Sequence, residues 1–385
     1  MFSVENLYYI LYCNLFKRIN ADIEYFSEFG SIDVAHLIRN FKGSKIFGHT
    51  CFYFHDQEPV QEKTLDSIFS KYENPEKRII LVTSEYSELS KAYCDKKNIY
   101  EIYYFFHGFA CLDWYNDSKF FTKKDPIFSN KFLSFNRLCV QLRSYRLLFV
   151  TELKERKILD QGLISLQLIQ DNENVVKKEL SDPNSRLSKE SKIKIYKNLG
   201  NVDKNFIIDK EVSGTASAHL GPEEYNLWQS GFLHIVSETV FFDKKLHLTE
   251  KIFKPIVSRR PFILLGAYKN LEYLKSYGFK TFSKWMDESY DDEYDNEKRL
   301  MMVCDEVEKI ANMTDDRIQE IYHDMKEVLD FNYRHFYTDF KQIIVNELVD
   351  NFEGYMRWHN NGRLNDEVYD IDGLNLPEVK KLLAQ

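Results

Sequence analysis

The 385-residue chain is 44% hydrophobic and carries 30 Phe, 25 Tyr and 4 Trp, enough apolar material for two or three packed domains and too much for a disordered chain. Its 14 Gly and 8 Pro exclude collagen-like and low-complexity classes. With 52 basic and 60 acidic residues the net charge is −8, so a polyanion would meet a local groove and not the whole surface.

Residues 1–20 are apolar and aromatic, but Glu5 interrupts them and no basic stretch or small-residue cleavage site frames them. They read as an amphipathic helix or strand, not as a leader or a span. Strands are predicted over 45–55, 78–82 and 99–107, with a helix over 87–97 between the last two. A strand at 131–135 leads into a long helix from about 140 to 158, and 162–168 is strand-like again. Residues 171–212 are rich in Lys, Asn, Ser and Asp and read as a linker or a solvated helical insertion. Alternation resumes with strands at 232–236, 261–266 and 279–282 and helices at 249–259 and 270–277. From 297 to about 352 the pattern is helical. Strands alternating with helices predict an α/β protein with a largely parallel sheet. The expected division is an N-terminal Rossmann-like domain (1–170), a polar insertion or linker (171–214), a second α/β domain (215–345) and C-terminal helices or tail (346–385). Six cysteines without a CxxC pair read as reduced, mostly buried thiols, which fits the cytoplasm.

Three constellations are candidates for chemistry. The first is His55-Asp56-Gln57-Glu58-Pro59, where three acid/base or ligand groups close an aromatic strand; Asp and Pro also suit a plain turn. His107, in FFHGFACLDWY with Asp113 and Trp114, is a further acid/base candidate. The second is FLSFNRLCVQLRSYRLLF: Asn136 and Arg137 end a strand, and Arg143 and Arg146 follow at i, i+3 spacing. Arginine forks match phosphate oxygens, although each one alone reads as an ordinary solvated residue. The third is Ser237-Glu238 at the end of a buried strand, followed by Thr249-Glu250-Lys251 opening a helix. Thr249 is a plausible N-cap, and an acid in the first turn suits the helix dipole. Beyond the carboxyl end of a parallel strand, however, the same residues are placed to meet phosphate and ribose.

The T-E-K triplet, its helix and the apolar strand that follows resemble the donor-binding half of GT-B glycosyltransferases, closest to the α-1,3-fucosyltransferase and exostosin-like group, over roughly residues 130–290. The resemblance implies two Rossmann-like domains facing a cleft, with C-terminal helices packing back. It implies a nucleotide-sugar donor, UDP- or GDP-linked, with Glu250 on the ribose, Lys251 on the phosphates, and Ser237, Glu238 and Thr249 alongside. Asn136, Arg137, Arg143 and Arg146 would serve the diphosphate. Fucosyltransferases usually carry Glu-Asn where this chain has Ser237-Glu238. An inverting enzyme of this kind takes the acceptor's proton with an N-domain base, here Glu58, Asp56 or His107. It works without a metal, cationic groups and a helix N-terminus stabilising the leaving group.

No zinc, EF-hand, P-loop, GxGxxG or GxSxG signature occurs, and Asp370-Ile371-Asp372, a formal DxD, lies outside the strand–helix alternation. The composition is similar to that of large tailed bacteriophage proteins. Such phages carry GT-B enzymes that glucosylate or arabinosylate 5-hydroxymethylcytosine, which suggests modified duplex DNA as acceptor and the host cytoplasm as location; a glycan is the other acceptor. Two alternatives stand beside the enzyme: a non-catalytic nucleotide-sugar or carbohydrate-binding module, and a nucleic-acid binder using the Lys-rich stretch 177–204. No membrane partner is expected.

Overall fold

A computed structural model describes residues 21–25, 50–55, 59–61, 65–66, 78–116, 126–170, 172–206, 208 and 225–361. The chain divides into two compact units, Met1–Asn116 with Tyr337–Gln385, and Asp117–Phe336. Both are α/β with parallel sheets.

In the first unit, strands β1 (Ala21–Tyr25), β2 (Thr50–His55), β3 (Arg78–Thr83) and β4 (Tyr100–Tyr103) lie side by side in that order, every pair parallel. The helix Glu88–Lys97 shows local sequence at work. Ser87 caps it by accepting from the Ser90 N–H at 3.0 Å, Glu88 sits in the first turn, Lys96 and Lys97 in the last, and Asn98 ends it with φ 53°. The expected strand over 99–107 stops at Tyr103, and a helix, Phe106–Trp114, starts at once. Gly108 explains the need: a Cβ there would lie 3.0 Å from the Phe340 ring and 3.3 Å from Ile344, so its absence lets the C-terminal helix Asp339–Asn361 approach. That helix also donates from Asn351 Nδ2 to the Tyr103 carbonyl at 2.7 Å. Residues 346–361 are thus one helix with 339–345 and pack on this first unit.

The second unit holds β5 (Asn130–Asn136), β6 (Gly162–Leu166), β7 (Gly231–Ser237) and β8 (Phe262–Leu265), all parallel, in the order β8-β7-β5-β6. The expected domain boundary at 170 is therefore displaced. Residues 130–170 supply half of the second sheet, because β5 pairs with β7 on one side and β6 on the other. β7 is buried along its whole length, as its run of Phe232, Leu233, Ile235 and Val236 requires of a central parallel strand. His234 within it is a core histidine: burial pulls its pKa down to about 3, and Nε2 lies 3.2 Å from the Trp228 carbonyl.

The polar stretch 171–212 contains two helices, Val175–Ser181 and Lys189–Leu199. The second docks on the helix Tyr145–Glu155, Lys194 pairing with Glu152 and with Glu155 at 3.0 Å. No strand forms over 279–282, yet Phe279 and Phe282 are buried there. Cys94, Cys111, Cys139 and Cys304 are free and buried. Among the described residues no helix is long and apolar enough to cross a membrane.

Candidate functional site

The chain makes β5, moves out to β6, and then returns to lay β7 on the other side of β5. Such a reversal leaves a crevice beyond the carboxyl ends of the two central strands, where open α/β sheets bind ligands. Asn136 ends β5 and Ser237 ends β7; the register pairs Ile235 with Ser134, so Ser237 and Asn136 follow on the same face. Both are buried. Asn136 Nδ2 donates to Ser134 Oγ at 2.9 Å, whereas Asn136 Oδ1 and Ser237 Oγ have no hydrogen-bond partner. Arg137, one residue beyond the strand, is exposed.

Next to Ser237, Glu238 is fully buried. Its carboxylate accepts from Thr249 Oγ1 at 2.6 Å, from the Thr249 N–H at 3.3 Å and from the Thr239 N–H at 3.3 Å. Burial raises its pKa, and Lys251 opposes the rise. Because the Thr249 hydroxyl spends its proton on Glu238, its lone pairs face the other way. They accept from Lys251 Nζ at 2.9 Å, and Thr249 caps the helix Glu250–Val257. Lys251 Nζ also donates to Thr239 Oγ1 at 3.3 Å and pairs with Glu250 Oε1 at 3.1 Å. The T-E-K triplet is thus the outer part of one connected network rooted in a buried acid.

Arg146 has a different place from the one its spacing suggests. It is 3% exposed, and its guanidinium is spent inside the protein. NH1 donates to the Leu138 carbonyl at 2.8 Å, and NH2 to the carbonyls of Ser237 and Glu238 at 2.8 and 3.1 Å. Nε donates to Tyr145 Oη at 3.3 Å, and that hydroxyl donates to the Glu238 carbonyl. Four of the five guanidinium N–H groups are committed. Arg146 therefore ties the loop after β5 to the loop after β7, and is no phosphate ligand as it stands. Arg143, in a single 3₁₀ turn ahead of the helix, is half-buried.

In the first unit Asp56 and Glu58 lie outside the described residues, as do Asp370 and Asp372. His107 is buried in the first turn of the helix Phe106–Trp114 and not at a strand end; Asp113 and Trp114, in its last turn, are half-buried. Sequence reasoning missed Tyr145 and Thr239, whose roles depend on partners 12 to 93 residues away. Among the described residues no group of three or more His, Cys, Asp or Glu is arranged to hold a metal ion. The Lys-rich stretch is partly spent in ion pairs, Lys178 with Glu173 and Lys194 with Glu152 and Glu155, which leaves less of it for a polyanion. Comparison with protein-family models, curated proteins and solved structures finds no match to this chain.

Proposed function

We propose that the chain is a glycosyltransferase of the GT-B kind, moving a sugar from a UDP- or GDP-linked donor to an acceptor hydroxyl, with inversion and without a metal. One observation carries the reading: Thr249, Glu250 and Lys251 open a helix beside the strand-order reversal, anchored by buried Glu238. A helix N-terminus with a lysine suits a diphosphate, and a neighbouring carboxylate suits ribose hydroxyls. Arg137, exposed at the adjacent strand end, and Arg143 are the further phosphate candidates.

In the reaction the acceptor oxygen bonds to the anomeric carbon as the bond to the diphosphate oxygen breaks. The acceptor's proton passes to a base, for which Glu58, Asp56 and His107 are the candidates. The acceptor we favour is 5-hydroxymethylcytosine in duplex DNA, with a glycan as the other. The test is nucleotide release from a panel of UDP-, GDP-, ADP- and CMP-sugars, with and without hydroxymethylated DNA and in excess EDTA. Release from one donor that persists in EDTA supports the reading. Binding without turnover on any acceptor would make the chain a nucleotide-sugar-binding module, and loss in EDTA restored by magnesium would overturn the metal-free mechanism.

A further inference from the structure

After β7, residues 238–244 form neither helix nor strand, so side chains from elsewhere must hold their backbone. One hold is already described: Arg146 and Tyr145 grip the carbonyls of Ser237 and Glu238. A second arginine, Arg299, supplies another. It lies in the first turn of the helix Asn296–Ala311, which Asp295 caps, and is 2% exposed. Its Nη2 donates to the Phe241 carbonyl and to Asn296 Oδ1, both at 2.7 Å. Its Nη1 donates to the Glu293 carbonyl at 2.9 Å, and its Nε to the Gly266 carbonyl, just past β8, at 3.0 Å. Burial lowers its pKa to about 10, with Asp291, Asp295 and Glu293 opposing, so the fork stays charged at neutral pH. The two holds meet through aromatic rings. Phe241 stacks on Tyr145 with centroids 4.2 Å apart, and the Arg299 guanidinium lies 4.6 Å over the Phe241 ring.

Resting on the reading of the Lys251 corner as an anion site, we propose that Arg299 is a positioning residue for Lys251 and acts through Thr239. The span from Ser237 to Phe241 is pinned at one end by Arg146 and at the other by Arg299, and Thr239 is its midpoint. Thr239 is buried, its N–H donates to the Glu238 carboxylate at 3.3 Å, and its hydroxyl accepts from Lys251 Nζ at 3.3 Å. A lysine head on a flexible stem is only as fixed as the acceptors around it. Thr249 reaches Lys251 from the lysine's own helix, whereas Thr239 reaches it from the loop, and Arg299 fixes the loop's far end. A lysine at 299 would keep the charge and lose the planar fork that spans three carbonyls, so the loop would slacken with the net charge unchanged.

The test separates this role from plain stabilisation by asking whether Arg299 matters once Lys251 is gone. UDP and GDP are titrated calorimetrically into the parent and into Arg299→Lys, Phe241→Leu and Thr239→Val, each also combined with Lys251→Leu. Phe241→Leu takes the ring from beneath the guanidinium and stands in for Arg299→Lys should that variant fail to fold, which urea unfolding checks. With Lys251 present, Arg299→Lys and Thr239→Val each weaken nucleotide binding roughly three- to tenfold, within the range for residues sharing one hydrogen-bonded network, and Phe241→Leu weakens it less. With Lys251 replaced, the same substitutions change affinity less than about twofold. A general loss of stability would act in both backgrounds alike. Unchanged affinity in the folded single variants, or a loss that persists undiminished without Lys251, overturns the positioning role and leaves the donor site standing. A parent that binds neither nucleotide overturns the donor site, and the role of Arg299 falls with it.

Discussion

Each unit builds the same kind of corner. After β3 the buried Glu85 accepts from the Ser87 hydroxyl at 2.7 Å, and Ser87 caps the helix that opens with Glu88. After β7 the buried Glu238 accepts from the Thr249 hydroxyl at 2.6 Å, and Thr249 caps the helix that opens with Glu250. A strand-end acid grips the cap of the next helix in both, so that grip is a structural device and implies no chemistry. The third residue differs: Ser-Glu-Leu in the first unit, Thr-Glu-Lys in the second. Leu89 is exposed, whereas Lys251 reaches back to the cap hydroxyl. The sheets differ as well. The first lays its described strands in chain order, while the second reverses between β5 and β7, the topology at whose strand ends open α/β sheets bind ligands. A cation at a strand-order reversal, not the capping motif, makes the second corner a candidate for anion binding.

The largest effect tests what the comparison leaves to the first unit. If that unit supplies the base, Glu58→Gln lowers turnover by roughly 10²–10⁴ with donor affinity nearly intact. Asp56→Asn is the control, and single-turnover kinetics with calorimetric donor binding separate the two quantities. Full activity in both variants moves the base to His107 or elsewhere. Next comes Arg146, the clamp at the second corner. Arg146→Met strands the carbonyls of Leu138 and Ser237, the Glu238 carbonyl keeping the Tyr145 hydroxyl, and at about 1–3 kcal/mol for a buried group left unsatisfied the expected loss is about 3 kcal/mol in urea unfolding. A loss below about 1 kcal/mol would mean that the loops hold each other without the clamp. Third is Lys251→Leu, which rewrites the second corner as the first. The fold should survive, since the first corner shows that the device works with leucine. Nucleotide affinity should fall by about 1.5–3 kcal/mol, the worth of a hydrogen bond to a charged group. Unchanged affinity would reduce T-E-K to a capped helix.

Much of this was legible locally. The all-apolar run of β7, Ser87 and Thr249 as caps, and the polar strand ends at Asn136 and Ser237 follow from periods and residue chemistry. What was not legible is nonlocal. Nothing in residues 130–136 says that they pair with a strand a hundred residues on, so the boundary expected at 170 falls inside the second unit. An arginine looks the same in sequence whether it faces a phosphate or, as Arg146 does, three backbone carbonyls. In the acid-rich stretch 285–297, Asp291 is buried and accepts from the N–H groups of Leu271 and Glu272 at 2.8 Å, and Glu288 accepts from the Phe282 N–H at 2.6 Å. Composition sees acids there; only the fold supplies the helix end and the turn that need them.

The smallest expected effect concerns a half-buried acid that meets the first turn of the first corner's helix. Glu101, on β4, accepts from the Ser90 hydroxyl, and burial pushes its pKa from 4.5 up to about 7, with Glu85 and Asp95 adding repulsion and Lys91 and the Ser90 bond opposing. The folded state thus holds this proton more tightly than the unfolded chain does. Its contribution to stability is fully present below pH 4.5 and is lost as pH rises through 7. Glu101→Gln keeps a hydrogen-bonding side chain without the charge. At pH 8 it should unfold later than the parent, by on the order of 1 kcal/mol once solvent screening is allowed for, and at pH 4 the difference should vanish. Other buried acids, Glu238 and Asp291 among them, titrate with the same sign, so only the parent-minus-variant difference across this window belongs to Glu101. A difference that is flat with pH would remove the extra half-buried acid from the first corner, and with it the electrostatic contrast with the second corner, where Lys251 meets the cap.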